Sequence, residues 1–322
     1  MQKLSFLNSF FDLITVIFIT ALITLSVLSL CFIFHLHIKS KSLTHLQGFN
    51  SLWTVRFLLV LFIFLWAITE LFRLPFFRRR YSHLFLPSLA IHQQANLCKV
   101  HIVLSLGFFE PAFLVTLIFL LNASIKKKTP NDTWAITFVL LMCLPIAAMH
   151  IFLIFFNPAE NRMPGFFHQT SVVIDDNIGN EMVLCAYPIL NNLVFAGFSA
   201  MYLVWFLFSC WKVLSLAINK GLRGRIYGLV SVVLVALPLQ VVSLGFTMLW
   251  DPREEVYGII SLLVFLGAFC CATIGEGILV IKPISDALDA GGGACCMWKP
   301  HHHGGHDHKS LLASEHVGEG NI

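Results

Sequence analysis

Apolar residues gather into seven long stretches separated by short polar joints, near residues 12–36, 52–72, 102–122, 134–156, 187–211, 227–249 and 256–281. Each is at least 20 residues long. At about 1.5 Å of rise per residue, that length crosses a hydrocarbon layer of about 30 Å as a helix. A helix satisfies its own backbone hydrogen bonds, which lipid cannot do. The pattern therefore predicts an all-α fold, a polytopic membrane bundle of seven transmembrane helices over residues 1–283. Residues 284–322 read as a cytosolic tail, a short interfacial helix followed by a disordered Gly/His-rich segment. The first stretch is too long for a cleaved signal peptide, whose apolar run is about 7–15 residues, and is expected to stay as a helix.

Composition agrees: 57% of the residues are hydrophobic, 12% are charged and 31 are Phe. A soluble domain would carry about twice that share of charge. The net charge of +4 comes from Lys and Arg at loop ends, so it does not indicate nucleic acid. No phosphate-binding glycine run appears, and no nucleotide or other cofactor is expected. The first partner implied is the membrane lipid itself.

Seven crossings put the termini on opposite faces. The face with the N-terminus carries eight basic residues, among them Arg73 and Arg78–Arg80, and the opposite face thirteen, among them Lys126–Lys128 and Lys212. The positive-inside rule then places the N-terminus outside and the C-terminus in the cytosol, in the plasma membrane or an endomembrane. On that topology Cys98 and Cys185 both face the oxidising side, where a bridge between them would tether the long fourth joint to the third helix. Cys295 and Cys296 form an adjacent juxtamembrane pair, candidates for S-palmitoylation.

An outward N-terminus, a cysteine at the outer start of the third helix, another before the fifth, Pro238 inside the sixth and an acylatable pair after the seventh resemble a G-protein-coupled receptor. The likeness is architectural. The third helix ends without Asp-Arg-Tyr, the seventh reads Gly275-Glu276-Gly277 in place of Asn-Pro-x-x-Tyr, and no Cys-Trp-x-Pro precedes Pro238. The run from Leu71 to Arg80 and the Gly/His tail are also similar to uncharacterised plant heptahelical proteins. The resemblance implies a receptor-like protein that takes a small-molecule or peptide ligand from outside and meets a cytosolic signalling partner.

Ionisable side chains at bilayer depth cost about 2.5–3.5 kcal/mol on insertion scales, so each is a candidate for function. Arg56 and Glu276 both fall near the cytosolic face and are expected to form an intramembrane ion pair. Glu110 falls near the midplane just before Pro111, whose missing N–H frees a carbonyl and favours a kink. With His150, Asn191, Asn192 and Gln240 it is expected to line an outward ligand pocket. Glu110 also suits an alternative, a transporter or channel with a midplane carrier. A heptahelical zinc hydrolase would need three ligands at metal spacing, which His101, His150, Glu70 and Glu110 do not supply. The chain is read as non-enzymatic and without a metal site.

Overall fold

A computed structural model of the chain describes residues 2–40, 52–74, 90–123, 132–156, 169–175, 181–216, 220–252 and 254–286. It holds seven helices long and apolar enough to span a membrane, with candidate spans of 21–33 residues. They are α1 (Gln2–Ser40), α2 (Trp53–Arg73), a composite third crossing, α5 (Asp132–Phe155), α6 (Ile189–Leu216), α7 (Lys220–Phe246) and α8 (Glu255–Glu276). The third crossing is α3 (Ile91–Ile102), a π-helical segment (Val103–Phe109) and α4 (Glu110–Ala123), continuous from end to end. A second π segment (Gly277–Ile281) carries the last helix on to Asp286.

The third crossing is the axis of the bundle. Of its most apolar window 89% is buried, against 22–50% for the other six. Those six surround it and turn Met201, Trp211 and Phe208 outward, each more than two-thirds exposed. Lipid solvates such side chains as well as a protein interior does, so association of the helices rests on close packing and interhelical hydrogen bonds. Two glycines of α8 permit the close packing. A Cβ on Gly267 would stand 2.6 Å from Cβ of Gln240 and 2.9 Å from the Ala236 carbonyl, and one on Gly275 would stand 2.7 Å from Leu117.

Two helix limits differ from the sequence expectation. The third crossing starts at Ile91, well before residue 102, because His92, Gln93, Gln94, Asn96 and Lys99 depress hydropathy without opposing a helix. The last helix passes residue 283 because Asp286 accepts from Arg225 at 2.8 Å and from Lys282, one turn earlier, at 3.2 Å. Cys295, Cys296 and the remainder of the tail lie outside the described residues.

The fourth joint contains a hairpin that the all-α expectation did not include, β1 (Ser171–Asp175) antiparallel to β2 (Glu181–Cys185), with Val173 opposite Val183. Val172, Val173 and Ile174 are β-branched and favour an extended backbone. A disulfide joins Cys185 at the end of β2 to Cys98 on α3, with Cα atoms 5.3 Å apart across 87 residues of sequence. Closing a loop of that size restricts the unfolded chain by about 4–5 kcal/mol in the chain-entropy account. Tyr257 of α8 donates to the Cys185 carbonyl at 3.1 Å, which fixes the hairpin to the bundle end.

Packing at Gly267 predicts a contrast with Gly197, where an added Cβ meets nothing within 4 Å. Gly267→Ala must displace the α7 backbone and is expected to destabilise by about 1–3 kcal/mol. Gly197→Ala is expected to be neutral or to stabilise by up to about 1 kcal/mol, by removing backbone freedom. Apparent Tm of the purified protein in detergent compares the two.

Candidate functional site

Eight polar residues of the core, Trp66, Glu70, Arg73, His101, Ser105, Glu110, Gln240 and Ser261, form one connected chain across four crossings. On α2, Trp66, Glu70 and Arg73 are spaced by four and three residues, which puts them on one face. Arg73 Nε donates to Glu70 Oε2 at 3.0 Å, and Arg73 also donates to Ser261 Oγ of α8 at 2.7 Å. Its guanidinium stands 5.8 Å from the ring centre of Tyr187. His101 of α3 approaches the other Glu70 oxygen at 3.5 Å. Glu70 and Arg73 are both buried, so each offsets the other's loss of water.

Ser105 in the π segment extends the chain inward. Its hydroxyl lies 3.0 Å from Glu70 Oε1 and 3.1 Å from Glu110 Oε1. The Trp66 indole N–H donates to Ser105 Oγ at 3.0 Å and to Glu110 Oε1 at 3.1 Å. Gln240 of α7 donates to Glu110 Oε2 at 2.6 Å. One hydroxyl proton is thus placed between two buried carboxyl groups.

The π segment makes this alignment. In an α-helix, side chains five residues apart point about 140° away from each other. Here the Glu110 N–H bonds to the Ser105 carbonyl, the five-residue step of a π-helix, and Ser105 and Glu110 meet. Pro111 follows directly. It lacks an N–H, and its ring would crowd the carbonyl four residues back, at Gly107. Gly107 is also where α5 comes closest, since an added Cβ would stand 3.1 Å from Cβ of His150.

His150, Asn191 and Asn192 connect elsewhere. Asn191 Nδ2 lies 2.8 Å from His150 Nδ1, and the buried Nε2 of the same ring has no hydrogen-bond partner among the described residues. Asn192 donates to the Leu244 carbonyl at 3.0 Å near the end of α7. Glu276 Oε2 accepts from Ser26 of α1 at 3.2 Å, whereas the ion pairs described among the placed residues involve Glu70 and Asp286. The expected partners Arg56 and Glu276 are both buried, but Glu276 faces α1 and takes a hydroxyl donor.

A cavity of about 100 Å³ opens at the end of the bundle that holds the N-terminus, beneath the hairpin. Asp12, Arg73, Cys185, Tyr257 and Ser261 line it. The expected ligand residues Glu110, His150, Asn191, Asn192 and Gln240 are not on its wall; they join helix to helix behind it. Of the residues that do reach it, Arg73 entered the sequence reading only as one of the basic residues counted for orientation, and Ser261 did not enter it. The spacing of Trp66, Glu70 and Arg73 was the available signal. Among the described residues no group of three His, Cys, Asp or Glu side chains is arranged to hold a metal ion.

Ser105→Ala removes the hydroxyl that bonds to both carboxyl groups. It is expected to lower stability by about 1–3 kcal/mol, the cost of leaving buried polar atoms unsatisfied. Apparent Tm reads the loss. A shift in Trp66 emission, assigned by comparison with Trp66→Phe, locates it at this chain.

A search of curated proteins finds no match. The model of the family described as "Uncharacterised conserved protein UCP031277" matches residues 1–293, a description that names neither a receptor class nor a plant group. The matched region takes in all seven crossings, the hairpin and the whole polar chain, and the protein belongs to this uncharacterised conserved family.

Proposed function

We propose that the protein is a receptor-like membrane protein which admits a small polar ligand to the cavity beneath the hairpin and reports its presence through Arg73. In this reading the cavity faces outward and the C-terminus is cytosolic. One observation carries it. Arg73 stands on the cavity wall and is also the outer end of the chain Glu70–Ser105–Glu110–Gln240. A ligand that draws Arg73 from Ser261 disturbs a series of bonds ending two residues past Pro238, where α7 lacks a backbone N–H and bends at least cost. Asp12 and Arg73 offer both signs of charge at the cavity, so the ligand is polar rather than apolar. Its effect would reach a cytosolic partner through the joint between the third and fourth crossings and the one between α6 and α7.

A second reading has one observation in its favour. Two buried carboxyl groups around one hydroxyl proton is an arrangement suited to a proton-coupled transporter, with Glu110 as carrier. Proton flux in proteoliposomes separates the two. The receptor reading expects none, and it expects Glu110→Gln to fold normally because the amide keeps most of the hydrogen bonds. Wild-type flux that disappears in Glu110→Gln would contradict it in favour of a carrier. A thermal-shift screen of small polar compounds tests the cavity: compounds that stabilise the wild type should lose that effect in Ser261→Phe, which fills the site.

A further inference from the structure

A second cleft, of about 300 Å³, lies between α4, α5 and α6 toward the membrane face opposite the N-terminus. Its composition changes along the bilayer normal. At the membrane face stand Lys212, exposed near the end of α6, and the pair formed by Asn122 and Ser209, whose side chains bond at 3.2 Å. Deeper in, the walls are aromatic. Trp134, in the first turn of α5, stacks on Phe138 one turn further in with ring centres 5.3 Å apart, and Trp205 meets the edge of Phe138 at 6.1 Å. Trp205 lies seven residues before Lys212 on α6, about 10 Å further toward the bilayer centre. The cleft opens sideways, since Trp134 and Phe208 on its rim are 58% and 69% exposed.

A polar, cationic end at headgroup depth above an aromatic slot at acyl depth matches one kind of molecule, an amphiphile of the surrounding leaflet. The charge selects among amphiphiles. Lys212 is on the wall, the one cation among the described lining residues. A basic group in a crevice between transmembrane helices favours acidic headgroups, and in the N-out orientation proposed above this face meets the leaflet where those lipids are concentrated. Ser209 is 3% exposed, which places the polar pair inside the protein wall and not on its annular surface. We propose that this cleft binds an anionic phospholipid, with the headgroup at Lys212 and the Asn122–Ser209 pair and one acyl chain among Trp134, Phe138 and Trp205. The site is separate from the cavity beneath the hairpin; it shares the proposed N-out orientation with the receptor reading but does not need a ligand at that cavity.

The test uses the full chain in detergent, titrated with phosphatidylserine or with phosphatidylcholine of identical acyl chains and followed by native mass spectrometry. Wild-type protein is expected to prefer phosphatidylserine, and Lys212→Gln to weaken that binding on the order of fivefold, the contribution of one cation near a membrane surface. Lys212 is exposed, so the variant should remain folded, which its elution profile and Tm verify. Brominated phosphatidylserine should quench tryptophan emission, and Trp134→Phe with Trp205→Phe should remove most of that quenching. Equal binding of the two lipids would overturn the proposal. So would a phosphatidylserine preference unaltered in Lys212→Gln, quenching unaltered in the tryptophan variant, or displacement of the lipid by cholesterol at equal concentration.

Discussion

A carboxyl group in the middle of a bilayer has no water to bond, so the protein must supply every partner. Glu110 meets that constraint with Trp66, Ser105 and Gln240, three donors from three crossings. No ring of apolar helices would specify such an arrangement by itself, because apolar surfaces exchange lipid for protein at little gain. The polar chain fixes the rotation of α2 and α7 about the third crossing. The bound on helix separation comes from elsewhere, at Gly107, Gly267 and Gly275, where a methyl group would already be too large.

The same constraint explains the irregular third crossing. A regular helix would send Ser105 and Glu110 in different directions, and Pro111 would crowd the carbonyl of Gly107. The π turn resolves both, bringing the serine between two carboxyl groups while it widens the helix opposite His150. One local irregularity of the backbone thereby positions the residues that bear most on function.

The seven crossings were legible because each is long and almost uninterrupted, so that a hydropathy window detects it without reference to the others. Their ends were less so. His92, Gln93 and Asn96 hide a helical turn that stands clear of the hydrocarbon, and Asp286 extends a helix through ion pairs with a residue on another crossing. Glu110 and Gln240 were recognisable as polar groups at depth, and the structure puts them in direct contact. Ser105 was not recognisable, since its place beside Glu110 depends on a π turn that no residue periodicity announces. Arg56 and Glu276 share a depth, but depth leaves rotation undetermined, and Glu276 turns toward Ser26. The hairpin was overlooked because two five-residue strands in a joint between crossings are too short to stand out beside the helices, and the joint was read for its charges and for Cys185.

The contact between Glu110 and Gln240 tests most directly whether these buried bonds hold the bundle in register. A double-mutant cycle with Glu110→Leu and Gln240→Leu, followed by apparent stability in detergent, measures it. Each single substitution leaves a buried polar partner unsatisfied and should cost about 1–3 kcal/mol, whereas the double substitution removes both groups and should cost clearly less than the sum. Additive losses would contradict the account, because they would mean that the two side chains do not depend on each other.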